Sequence, residues 1–391
     1  MYLTSVAIAA WLQNQNQLSI FAIAVSAIVA WPFAALLGVG IAIDIVPVIL
    51  IDSHFYGKWV VAPLNIVLYN IFTEHGPDLY GVEPWYYYII NGFLNFNIAF
   101  PLAIISLPIL FFSKLIVSAD DTNRNVTAVL CFCLAPFYLW LTVFILQPHK
   151  EERFLFPIYT LICLSAAICI DHLQRLISWA KYGRKAIHYT QYILNKWFVI
   201  GLLMLHASGS VSRCFALYKN YQAPLHVYGD LMKVAHNSSL HPLSSYVQVN
   251  LCVGKEWYRF PSSFFLPENW KLMFVKSEFK GQLPKYFESE NPTSSIPSHM
   301  NDMNLEEPTR YINVSKCHYL VDLDVPTESK LEPRYSLQTK QWKVLYSGDF
   351  LFSSGSSSLF RALYVPFLTS KKVKYIKYNL LQTTRLAKRR K

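Results

Sequence analysis

Charge is scarce in this sequence. Only 15% of its 391 residues are Asp, Glu, Lys or Arg, against 53% apolar, a poor balance for a chain solvated on all sides. It also lacks a basic segment ahead of its first apolar run, which excludes a secretory signal peptide there. Residues 1–12 read as the end of a helix, so the start at Met1 reads as a truncation or an alternative start. Metal-ligand spacing is missing too. Cys131-Phe-Cys133 is too closely spaced for a zinc pair, and with Cys163 and Cys169 it lies in apolar sequence where cysteine packs. No metal and no cofactor are expected, and no internal repeat is evident.

The charges that exist are unevenly spread. Residues 1–212 hold ten basic and ten acidic residues, so the whole net charge of +11 falls on residues 213–391. This predicts a neutral membrane region, 1–212, followed by a basic water-soluble domain, 213–391.

Apolar stretches long enough to cross a bilayer are countable. Residues 86–112, 126–147, 154–170 and, with the upstream Tyr-Ile-Leu, 197–212 qualify. Residues 18–50 carry one charge, Asp44, and are too long for one upright span; Trp31-Pro32 and Pro47 predict breaks. Orientation follows from Arg175, Lys181, Arg184, Lys185 and Lys196, set against the single acid Asp171 between 171 and 196. The positive-inside rule makes that loop cytoplasmic. Loops 51–85 and 148–153 and the domain 213–391 then lie on the opposite face, luminal in a secretory membrane.

Two sequons, at Asn237 and Asn313, fall in that domain and are expected to be glycosylated, whereas Asn125 falls on the cytoplasmic side. A luminal Cys252–Cys317 bridge is permitted. Alternating apolar residues at 247–254, 317–324 and 342–350 predict strands of a mixed α/β domain. From Lys371 the chain carries nine basic residues and no acid. This basic tail, 371–391, reads as a frayed solvated end in preference to a phospholipid-headgroup contact.

One loop resists a bland explanation. Residues 147–156, "QPHKEERFLF", pack His149, Lys150, Glu151, Glu152 and Arg153 between two spans. Snorkelling to headgroups would account for Lys150 and Arg153, but it does not account for two glutamates. A mixed cluster beside a histidine suits a lipid-linked phosphate, with His149, Lys150 and Arg153 on the phosphate and Glu151 and Glu152 orienting them. Upstream, His75, Asp78, Glu83 and Trp85 form a polar-aromatic stretch able to stack on and hydrogen-bond to sugar, while Tyr86–Tyr88 read as interfacial anchors. Lys255 and Arg259, with Glu256 between them, are candidates for holding a glycan or pyrophosphate, weighed equally against a structural ion pair.

The wording "HKEERF" resembles the signature of eukaryotic mannosyltransferases that use dolichyl phosphate mannose. Residues 62–100, 251–264 ("LCVGKEWYRFPSSF"), 301–324 and 363–368 ("LYVPFL") narrow this to the α-1,2-mannosyltransferases of asparagine-linked glycosylation, glycosyltransferase family twenty-two. The resemblance covers nearly the whole chain. It implies a multi-pass α-helical membrane protein, a C-type glycosyltransferase, with a C-terminal luminal α/β domain. It implies residence in the endoplasmic reticulum membrane and partners that are dolichyl phosphate mannose, the dolichol-linked oligosaccharide and membrane lipid, with no nucleic acid. The reaction implied is inverting, and the carboxylate base is expected in an acidic N-terminal luminal loop that this chain begins beyond. A catalytically inactive truncated product of the same family is the alternative. A transporter is disfavoured because the charges lie between spans and not within them.

Overall fold

The computed structural model describes residues 41–72, 77–117, 124–182, 188–237, 239–243, 246–259, 262–288, 290, 294–295, 298–301 and 303–388. The chain divides into two compact units. One comprises residues 1–210 and 287–296, the other 211–286 and 297–391.

The first unit is helical. Its described helices are α1 (Ile41–Tyr56), α2 (Ala62–Phe72), α3 (Tyr87–Phe96), α4 (Ala99–Ile104), α5 (Ser106–Val117), α6 (Arg124–Leu146), α7 (Tyr159–Tyr182) and the first part of α8 (His188–Tyr221). Among the described residues, three segments are long and apolar enough to cross a membrane: Thr127–Leu146, Glu152–Ala180 and Lys196–Tyr221. Lipid offers backbone groups no partners, so an apolar run there must close its own hydrogen bonds as helix.

Several expectations change here. The predicted break at Pro47 does not occur, because α1 runs through it; the predicted break at Trp31-Pro32 lies outside the described residues. The stretch 86–112, expected as one span, is three short helices. Asn97 sits at φ +48, in the left-handed region that ends α3, and its side-chain amide donates to Ser210 Oγ at 3.0 Å. Pro101 and Pro108 then fall in the first turns of α4 and α5, where a missing N–H costs least. Tyr138 of α6 repairs the second break. Its hydroxyl donates to the Ile104 carbonyl at 2.7 Å and accepts from the Leu107 N–H at 3.0 Å. The predicted cytoplasmic loop is mostly helical extension, α7 running on to Tyr182 and α8 starting at His188. Charge ends a membrane span without ending a helix.

The core of this unit comes from α3, α4, α6 and α7. Tyr88, Phe100, Phe137, Leu141, Leu155, Ile158 and Ile162 are buried together. Gly92 permits the approach of α3 to α4, since a Cβ there would stand 2.4 Å from the Phe100 ring.

The second unit is a five-stranded mixed sheet in the order β2-β1-β3-β5-β4, with β1 Val249–Val253, β2 Trp270–Phe274, β3 Tyr319–Leu323, β4 Trp342–Leu351 and β5 Tyr375–Thr383. Strands β2, β1 and β3 are parallel; β5 is antiparallel to β3 and β4. Helix α9 (Ala223–His236) lays Ala223, Val227, Leu231 and Val234 on one sheet face, the i, i+4 spacing of an amphipathic helix. Cys252, Leu320 and Leu381 face the other way, against Cys317 and Trp342. Cys252 and Cys317 form a disulfide with Cα atoms 5.8 Å apart.

The frayed tail expected from Lys371 is not there among the described residues. Residues 375–383 are β5, an interior strand, and Tyr378 to Leu381 are buried. Its basic residues sit before, at exposed positions of, and after the strand, which is why composition hid it.

Candidate active site

In the first unit, the charged loop 147–154 folds onto the segment 80–88. Gly81, at φ +103, turns its carbonyl toward His149, whose Nδ1 donates to it at 2.8 Å. The other ring nitrogen lies 3.2 Å from Glu151 Oε1. Both nitrogens face acceptors, so both bonds form together only in the doubly protonated ring. Lys150 points inward and is only 6% exposed. Its ammonium donates to the Glu83 carbonyl at 3.0 Å and to the Gln147 carbonyl. The Glu83 N–H donates to the Pro148 carbonyl at 3.1 Å. Tyr88, fully buried, donates to the Glu151 carbonyl at 3.1 Å and accepts from the Glu151 N–H at 3.2 Å. Tyr88 is therefore a latch between segments and not the interfacial anchor expected of it.

Arg153 points outward, its side chain 58% exposed, with its Nη2 donating to Glu151 Oε1 at 2.8 Å and its Nε to Oε2. Its guanidinium also lies 5.9 Å from the centroid of the Phe154 ring. Glu151 thus collects His149 and both prongs of the Arg153 fork. Glu152 is held separately, by Asn95 Nδ2 at 2.6 Å and the Tyr159 hydroxyl at 3.3 Å. It stands at the head of the 152–180 apolar segment. Trp85 is exposed, its ring edge-on to Tyr86, and Tyr80 stands edge-on to His149. Asp78 lies in the 3-10 turn Pro77–Tyr80. His75 lies outside the described residues.

Sequence reasoning grouped the two segments by composition. It missed that Tyr88, Asn95 and Tyr159 complete the cluster, since a tyrosine or asparagine near an interface carries no distinguishing signal.

The second unit holds Lys255 and Arg259 just beyond β1. Lys255 Nζ lies 3.1 Å from Asp322 Oδ1 on β3, both side chains largely buried. Arg259 Nε donates to Glu256 Oε2 at 2.6 Å, with its guanidinium 4.5 Å from the Phe350 centroid. Asp324 accepts the Arg334 fork at 2.6 and 3.2 Å and the Ser336 hydroxyl at 2.9 Å. Asp324 directly follows the carboxyl end of β3 and Lys255 stands two residues beyond that of β1, at the edge where α/β sheets collect ligands. Burial pushes the Asp322 carboxyl up to about 7, with Lys255 offsetting only part of it. Burial also acts on Asp324, but Arg334 and Ser336 outweigh it and hold that carboxyl below its ordinary value. Asp322, Asp324 and Arg334 were not singled out from sequence; strand alternation alone does not flag an aspartate whose partner lies 67 residues away. Asn237 and Asn313 are exposed, each accepting from the N–H two residues on.

A helix-rich membrane chain with a cross-braced charged loop at the head of a span, joined to a disulfide-bonded α/β unit, is the class defined by these features. The chain belongs to the Alg9-like mannosyltransferase family, whose profile matches residues 42–267. The alpha-1,2-mannosyltransferase ALG9 of Mus musculus is 46% identical over 406 aligned residues, covering 98% of this chain and 66% of that protein. The Drosophila melanogaster Alg9 is 41% identical over 98% of this chain, and the Saccharomyces cerevisiae ALG9 is 36% identical over 82% of it. The chain spans 66% of the length of its mouse relative and 65% of that of its fly relative. No solved structure matches it significantly.

Proposed function

We propose that the protein carrying this chain is an inverting mannosyltransferase of the endoplasmic reticulum membrane. It moves mannose from dolichyl phosphate mannose, in α-1,2 linkage, onto the dolichol-linked oligosaccharide precursor of N-glycosylation. The observation that carries the reading is the folded "HKEER" loop in a chain of this family. Its one outward cation, Arg153, stands at the mouth of an apolar segment, with His149 and Glu151 beside it.

The chemistry follows from charge. The acceptor hydroxyl gives its proton to a carboxylate base as its oxygen attacks the anomeric carbon, the bond to the dolichyl phosphate oxygen breaks, and the electron pair leaves on phosphate. A planar fork can steady two phosphate oxygens at once. Arg153 supplies that fork, with Glu151 setting its direction and His149 standing beside it. Lys150 has two of its three donors on carbonyls, so we assign it to fixing the loop, with its third donor toward the phosphate. Glu152, Asn95 and Tyr159 form the adjoining polar wall. In the helical unit we assign Asp78, Glu83 and Trp85 to the acceptor; in the α/β unit, taken by itself, we assign Lys255 and Arg259 to glycan or pyrophosphate binding. The loops 51–85 and 148–153 and residues 213–391 are luminal. The exposed sequons and the disulfide, which persists in oxidising compartments, support that side.

The test is complementation of cells lacking the endogenous enzyme, with the lipid-linked glycan then digested by an α-1,2-specific mannosidase. Restored glycan carrying new mannose sensitive to that enzyme is expected. New mannose resistant to it, or transfer that does not depend on the dolichyl phosphate donor, would overturn the reading.

A further inference from the structure

Residues 361–374 of the second unit are unexplained by the proposed reaction. Residues 361–364 run along the C-terminal end of α8, and each contact can be ordered by its place on that helix. The Arg361 carbonyl accepts from Asn220 Nδ2 at 2.9 Å, and the Ala362 carbonyl from Arg213 Nη1 at 3.0 Å. Tyr364 then bonds Ser212 twice, its N–H donating to the Ser212 carbonyl at 3.1 Å and its carbonyl accepting from Ser212 Oγ at 2.9 Å. Asn220 and Ser212 stand eight positions apart, about 12 Å of helix axis at the usual rise. The strand of chain therefore travels down α8 from Asn220 to Ser212, within the apolar segment Lys196–Tyr221.

At the end of that descent the backbone closes on itself. Thr369, fully buried, accepts the Val365 N–H on its hydroxyl at 2.7 Å and donates its own N–H to the Val365 carbonyl at 3.0 Å. The closed turn pushes Val365, Pro366, Phe367 and Leu368 outward, all exposed. Phe367 is 87% exposed and has φ +64, a left-handed conformation that a bulky side chain rarely adopts. An aromatic ring held in a strained conformation in order to face outward needs an apolar environment to offset the cost. Immediately after the turn come Lys371, Lys372 and Lys374, all exposed. On the flank Lys219 lies 5.3 Å from the centroid of the Tyr364 ring.

We propose that the turn Val365–Leu368 is a membrane-dipping loop. Phe367 and Leu368 insert among the acyl chains beside the end of α8, and Lys371, Lys372 and Lys374 contact anionic headgroups. Apolar tips with a basic collar suit lipid, with its hydrocarbon and surface phosphates a few ångströms apart.

The test uses the full chain in vesicles of phosphatidylcholine and phosphatidylserine containing a doxyl-labelled phospholipid. The five free cysteines, Cys131, Cys133, Cys163, Cys169 and Cys214, are replaced by alanine. An environment-sensitive fluorophore is placed at Phe367→Cys, at Leu368→Cys in case the first disturbs the turn, and at Lys343→Cys, an exposed position on β4. The labels at 367 and 368 should emit to the blue of the label at 343 and be quenched several-fold more by the doxyl lipid. Adding Lys371→Glu and Lys372→Glu should reduce that quenching in vesicles with phosphatidylserine and leave it unchanged in phosphatidylcholine alone. Labels at 367 and 368 as wet and as poorly quenched as the one at 343 would overturn the proposal, and would assign the turn to a protein partner.

Discussion

The ammonium of Lys150 donates to the main-chain carbonyl of Glu83 at 3.0 Å, across 67 residues of sequence. This bond ties the charged loop to the aromatic segment before α3, so Lys150 braces the loop with two of its three donors. Lys150→Met keeps the stem and removes the charge. It leaves the Glu83 and Gln147 carbonyls without their donor, so a loss of about 1.5–3 kcal/mol per charged hydrogen bond is expected. Mannose transfer should fall by at least about 10-fold, with faster proteolysis of the 77–86 segment in the detergent-solubilised protein. Unchanged proteolysis at that segment would show that Lys150 does not brace it.

The disulfide closes a loop of 65 residues between β1 and the start of β3. The chain-entropy treatment gives a contribution of about 4 kcal/mol for a loop of that size. Paired Cys252→Ala and Cys317→Ala substitutions should lower the unfolding temperature of the α/β unit and the yield of folded protein. A double variant as stable as the unmodified chain would contradict this.

Asp322 predicts a pH dependence of definite sign. Its carboxyl sits at about 7 in the fold against 3.8 in an unfolded chain. Between those values the folded state holds a proton that the unfolded state has released, so stability falls as pH rises from about 4 to about 7. Asp324 acts oppositely, adding stability that is lost below its ordinary value of 3.8. Unfolding of the full chain across this range should show the downward slope, and Asp322→Asn should flatten it. A slope unchanged by that substitution would assign it to other groups.

Orientation is tested by the sequons. Asn237 and Asn313 are exposed in the second unit. Both should carry glycan when the protein is expressed in cells, and enzymatic deglycosylation should shift its mobility by two steps. Protease added to sealed microsomes should spare residues 213–391. Digestion of that region would invert the topology and move the loop at 148–153 to the cytoplasm.

Legibility followed the physics of each feature. The apolar segments 126–147 and 154–170 were visible because lipid imposes length and composition together. The breaks at Asn97 and Ile105 were not, since they depend on a left-handed asparagine and on the Tyr138 hydroxyl from another helix. Strands β1, β3 and β4 are rich in apolar and β-branched residues, which makes them legible, although β3 is buried at every position. Strand β5 was missed because its flanking lysines and arginines made 371–391 read as a tail, while β2 offers only five residues, Trp270–Phe274. In the site, five ionisable residues in a row announced a function. Their division of labour did not show, because whether Lys150 points inward and Arg153 outward is decided by Glu83, Gln147 and Glu151 in three dimensions.

The most direct measurement compares donor-dependent labelling of the lipid-linked oligosaccharide by Arg153→Ala, Arg153→Lys and Arg175→Ala at matched expression. Arg175 pairs with Asp171 at 2.9 Å in α7, away from the charged loop in sequence, and serves as the control. Arg153→Ala removes the fork and should lower transfer by about 10- to 100-fold, the equivalent of one charged hydrogen bond. Arg153→Lys keeps the charge without the fork and should be impaired less. Arg175→Ala should transfer at the unmodified rate. A folded Arg153→Ala protein with unmodified turnover would contradict the phosphate role and return the five charges of residues 149–153 to holding the loop in shape.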